Sequence, residues 1–156
     1  MKTFKGFAEI QSAKDLFEKM NYDFERMKKD STDQYAACDF FLTAFHLLEW
    51  FCPGDDKRNE RSDLVEKEPL LQIASHIANG FKHFEATNPR HKSIHGIEKQ
   101  RYVEDDYAVE EYFLDPLVFH LNPDQSKVVG AEELTAIELA ERLIHFWRQK
   151  LRLEVE

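Results

Sequence analysis

The sequence predicts an all-α fold, a bundle of four or five helices with a small β-hairpin insertion before the last one. Three observations carry this. Four stretches repeat apolar residues at three- and four-residue spacing, and the breaks between most of them are short and rich in Pro, Gly, Asn or Asp. One region of different texture, Arg101 to Val129, gathers aromatic and β-branched residues between Pro116, Asn122-Pro123-Asp124 and Gly130. The chain has 156 residues, 42% hydrophobic with thirteen Phe, and 33% charged. That composition excludes a disordered chain, a collagen-like fibre and a low-complexity linker. A chain of this size buries roughly 68–70% of its unfolded surface.

Ser12 precedes the first helix, Ala13 to Lys29, in which Leu16, Phe17, Met20, Phe24 and Met27 share one face. Asp30-Ser31-Thr32 breaks it and offers N-cap residues. The run from Asp33 to Phe51 that follows is apolar almost all round, so it is expected to be the central helix. Pro53-Gly54-Asp55-Asp56 stops that helix, and the charged stretch to Arg61 reads as a solvated loop. A third helix is expected to begin near Asp63 to Glu68, with Pro69 tolerated in its first turns. It carries Leu70, Leu71, Ile73, Ala74, Ile77, Ala78, Phe81 and Phe84 inward and ends before Asn88-Pro89. Adjacent antiparallel packing of Asp33–Phe51 on Glu66–Glu85 is expected from their short connection. Leu117–Leu121 and Lys127–Val129 read as a hairpin around Asn122–Ser126, and the last helix spans about Glu132 to Leu151. No repeat or linker divides the chain, so residues 1–156 are expected to be a single helical domain, with the insertion at about 101–130.

The net charge of −9 argues against a broad electrostatic grip on nucleic acid, which is built from Lys and Arg neutralising phosphates. It leaves room for a local basic site, and Phe81 to Arg101 is a basic island, with Lys82, Arg90, Lys92, Lys99 and Arg101 against Glu85 and Glu98. The Glu104-Asp105-Asp106 and Glu110-Glu111 runs read as solvated surface. Cys38 and Cys52, about 21 Å apart if on one helix, are expected to be unpaired thiols. No stretch is long and apolar enough for a membrane span, and Met1 to Ile10 carries Lys2, Lys5 and Glu9 where a signal peptide needs an apolar run. A cytoplasmic protein without membrane contact is the expectation.

Candidate chemistry lies in polar residues on the apolar helices. Asp39, Thr43 and His46 fall on one stripe of the second helix, with Glu49 at its edge; His76, Asn79 or Gly80, and His83 fall on one stripe of the third. A buried polar group without a partner costs roughly 1–3 kcal/mol, so these stripes need either internal partners or a ligand. The bland reading gives each residue a backbone partner or a place at the surface. As a set, Asp39, His46, His76, Asn79, Lys82 and His83 stand out, and Gly80 suggests close helix approach or exposed backbone beside them.

The segments Asp39-Phe-Phe-Leu-Thr-Ala-Phe-His46-Leu-Leu-Glu-Trp50 and Ile77-Ala-Asn79-Gly80-Phe-Lys82-His83-Phe84 resemble a family of uncharacterised bacterial helical proteins. That family is marked by a Thr-Ala-x-His-x-x-x-Trp helix and an Ala-Asn-Gly-x-Lys-His helix, and is remotely similar to HEPN domains (higher eukaryote and prokaryote nucleotide-binding). The resemblance covers about half the chain. It implies a HEPN-like four- or five-helix bundle that dimerises and binds RNA or a nucleotide. In its sharper form it implies a metal-independent ribonuclease of toxin or anti-phage type, without a cofactor. There, His83 stands for the catalytic His, Asn79 for the polar residue that follows the family's Arg, and Lys82 supplies positive charge, while Asp39, Thr43, His46 and His76 belong to the binding face. The family's Arg is absent before His83, and Lys82 does not supply its planar fork. Arg142-x-x-His145 is too closely spaced to replace it and reads as a helix face. Two alternatives stand beside this: a non-catalytic protein-interaction module whose polar cluster fixes helix packing, and a His-rich bundle binding one metal ion through His46, His76 and His83 with Asp39 or Glu49.

Overall fold

The computed structural model describes residues 4–99 and 117–153. Helix α1 spans Ala13–Lys29, its start fixed by the Ser12 hydroxyl accepting from the Asp15 amide at 3.2 Å. Helix α2, Gln34–Phe51, is capped by Asp33, whose carboxylate accepts from the Tyr35 and Ala36 amides, both at 2.9 Å. A 3₁₀ turn at Asp55–Lys57 leads into α3, Arg58–Lys67, and α4 follows as Pro69–Lys82. Strand β1 is Ile94–Lys99, β2 is Leu117–Leu121, α5 is Pro123–Val129, β3 is Glu133–Thr135, and α6 is Ala136–Lys150.

These elements overturn the all-α expectation. The described residues hold six helices and a three-stranded antiparallel sheet in the order β1-β2-β3, with Ile97 opposite Phe119 and Phe119 opposite Leu134. The fold is mixed α and β, not a four- or five-helix HEPN-like bundle with one hairpin. Strand β2 lies where it was expected, but its partners do not. Lys127–Val129 belongs to α5, because Pro123 suits a first helical position and Gly130, at φ +80°, closes the end in a left-handed conformation. The true partners are β1, on the other side of residues 100–116, and the three residues just before α6. The expected third helix is two helices, since Pro69 forces Glu68 into extended backbone (φ −114°, ψ 101°). The stretch to Arg61, expected as loop, is largely helical; Arg61 Nη1 donates to the Cys52 and Gly54 carbonyls left free after α2. Most of the insertion expected at about 101–130, including Glu104-Asp105-Asp106 and Glu110-Glu111, lies outside the described residues.

Helix α2 is the core of the molecule: Ala36, Ala37, Phe40, Phe41, Ala44, Leu47 and Leu48 are buried, and α1, α4 and α6 pack against it. The sheet joins that core through Phe119, whose ring meets Phe41 edge-on at 5.2 Å. Trp147 of α6 is fully buried and donates from Nε1 to the Ala44 carbonyl at 2.9 Å. Cys38 and Cys52 are free thiols. Among the described residues no helix is long and apolar enough to cross a membrane.

Candidate nucleic-acid interface

The two polar stripes meet different fates. On α2, Asp39 and Thr43 face α1, where Lys19, Asp23 and Arg26 lie at i, i+4 and i+7 on one stripe. Arg26 Nη1 donates to Asp39 Oδ2 at 2.8 Å and to Asp23 Oδ1 at 3.1 Å. Lys19 Nζ donates to Asp23 Oδ2 at 2.5 Å and to Thr43 Oγ1 at 2.8 Å, and the Thr43 hydroxyl donates to the Asp39 carbonyl. Asp23 is 1% exposed and carries two cations. The Arg26 guanidinium is held above its ordinary value, first by Asp39. Two carboxylates answer two cations here, so Asp39 and Thr43 belong to helix packing. Asp23, Lys19 and Arg26 were not singled out from the sequence, although their helical spacing was the available signal. His46 lies exposed beside the Phe45 ring.

On α4, His76 is half-buried, accepts from the Ile94 amide at Nδ1 (3.2 Å), and stacks on His91 with centroids 5.4 Å apart. The Asn79 amide donates back to the Ser75 carbonyl at 2.8 Å, as short polar side chains do inside helices. Gly80 is exposed, and a Cβ there would meet nothing within 4 Å, so no neighbour needs the close approach. Among the described residues no hydrogen bond, ion pair or ring contact links His46 to His76 or His83, and no group of three or more His, Cys, Asp or Glu could hold a metal. The set of His46, His76 and His83 with Asp39 or Glu49 does not assemble as ligands.

The end of α4 departs most from expectation. Phe81 and Phe84, expected inward, point out: Phe81 is 42% exposed and Phe84 fully so. The helix stops at Lys82, and His83 turns extended (φ −124°, ψ 134°), which takes Phe84 off the buried face. Between the rings, Lys82 and His83 are exposed, and among the described residues their side chains make no hydrogen bond or ion pair. The segment beyond adds exposed Arg90 and Lys92 against one acid, Glu85. It is tied down: the Asn88 carboxamide accepts from the Arg90 amide at 3.0 Å, and the Asn122 amide donates to the Ser93 carbonyl at 2.9 Å. Arg142 and His145 lie elsewhere, exposed on α6 in an open groove of about 410 Å³ with Leu70, Phe146, Glu141 and Gln149.

No family model, curated protein or solved structure matches the chain. The residues at the end of α4 offer two flat apolar rings with cationic groups between and beyond them. Aromatic faces stack on bases whatever the sequence, and Lys or Arg beside them answers phosphates.

Proposed function

We propose that the chain is a non-catalytic binding module for single-stranded RNA, held at the end of α4 and the segment following it. The observation supporting this is the pair of exposed rings, Phe81 and Phe84, flanking Lys82 and His83, which make no side-chain hydrogen bond or ion pair among the described residues, at the start of a locally basic stretch of an acidic chain. Exposed aromatic surface next to cations is costly to leave in water and suited to bases on a phosphate backbone. His83 then acts as a contact, not a general base: no side chain among the described residues orients its ring, and the resemblance's Arg is absent. Asn79 is engaged with its own helix, which removes it from a reacting phosphate.

A protein-interaction module is the second reading, favoured by the internally satisfied Asp39 and Thr43. Fluorescence anisotropy with a labelled single-stranded RNA decamer separates the two. Phe84→Ala, which removes a fully exposed ring, is expected to weaken binding by roughly 5- to 150-fold, the range for one stacked base. Lys82→Ala should weaken it and flatten its salt dependence. Absence of binding by the wild type, or equal binding by Phe84→Ala, gives the reading up in favour of a protein partner.

A further inference from the structure

The segment Arg90–Ser93, between the end of α4 and β1, is fastened on one side to Asn122, whose backbone amide donates to the Ser93 carbonyl at 2.9 Å and whose side chain donates to the Lys92 carbonyl. The Ser93 hydroxyl donates to Gln125 Oε1 at 3.2 Å, and Gln125 in turn donates to the Pro69 carbonyl at the start of α4. The fastening to the middle of α4 is His76. The Ile94 amide can only donate, so the His76 Nδ1 that accepts from it carries a lone pair; His76 is the neutral Nε2–H tautomer. His91 lies flat against the same ring, 26° from parallel.

We propose that the stacked His76–His91 pair is an acid-opened latch: protonation of His76 removes the acceptor that holds the Ile94 amide, a second charge on His91 drives the rings apart, and the start of β1 comes away from α4. This is independent of what the end of α4 binds. Burial holds both imidazoles below the ordinary histidine value, His91 lowers His76 further, and Arg90 does the same to His91. The groups acting on the pair are thus His91 and Arg90, both from the segment itself. Among the described residues, helices α2, α3, α5 and α6, which pack on α4, bring no carboxylate to bear on either ring. Among the described residues no carboxylate stabilises a proton on the closed pair. An opened pair regains the ordinary value of 6.5, so opening takes up protons and is favoured as pH falls below it.

Hydrogen exchange followed residue by residue by NMR tests the latch, with rates corrected for the intrinsic pH dependence. The Ile94 amide is expected to lose about tenfold or more in protection between about pH 7.5 and 5.5, while the Leu47 amide in the core of α2 keeps its own. His76→Gln, which keeps a non-titrating acceptor, should leave only the shallower pH dependence that His91 contributes, and His91→Phe, which keeps the ring stack without the charge, should also make it shallower. A flat Ile94 profile in the wild type overturns the proposal. So does an equal loss in His76→Gln, or a fall at Leu47 in step with Ile94, which reports global opening instead.

Discussion

Asp23 accepts from Lys19 and Arg26 together while almost fully buried, so Asp23→Ala leaves two cations without their shared acceptor between α1 and α2. The loss expected is about 2 kcal/mol, tempered because Lys19 and Arg26 reach solvent. Urea unfolding measures it, with the exposed Glu25→Ala as a reference expected within about 0.5 kcal/mol of wild type. A loss no larger than that reference contradicts the role given to Asp23. At this scale the sequence disclosed that Asp39 and Thr43 share a face with His46, but not what stood opposite. Periodicity places residues on a stripe of their own helix; the partner helix decides whether the stripe meets cations, as at Asp39, or water, as at His46.

Among the elements, α4 holds a test of its own. Gly80 sits in its last turns with open space where a Cβ would go and no positive φ, so Gly80→Ala should stabilise the protein by about 0.5–1 kcal/mol. Thermal unfolding reads this directly, and a destabilised variant would show that the backbone at Gly80 is closely approached after all. Helix α1 is legible to the residue because Ser12 and the apolar spacing agree; α2 is legible to within one residue, but its N-cap, expected among Asp30-Ser31-Thr32, is Asp33. Helix α5 is hidden in the sequence because Val128 and Val129 resemble strand residues and Asn122–Ser126 reads as a hairpin turn, whereas Pro123 and Gly130 are its start and stop signals. Strand β3 has three residues, too few for an alternating pattern, and Thr135 within it also caps α6.

For the whole molecule, the error in fold class comes from β1. It is an edge strand carrying His95, Glu98 and Lys99 with only Ile94 and Ile97 as large apolar residues, so it reads as a charged loop, which is how edge strands avoid unwanted pairing. Half of the candidate site is legible: the sequence points to Lys82 and His83 but places Phe81 and Phe84 in the core, because their spacing continues the apolar face of α4 beyond the point where the helix stops. Those two rings carry the central claim. Titration of isotope-labelled protein with a single-stranded RNA decamer, followed by amide chemical shifts, tests it most directly. The account predicts saturable shifts concentrated in residues 81–92, reduced by Phe84→Ala, with the RNA recovered intact. Shifts centred on another face, or none at saturating RNA, would contradict it.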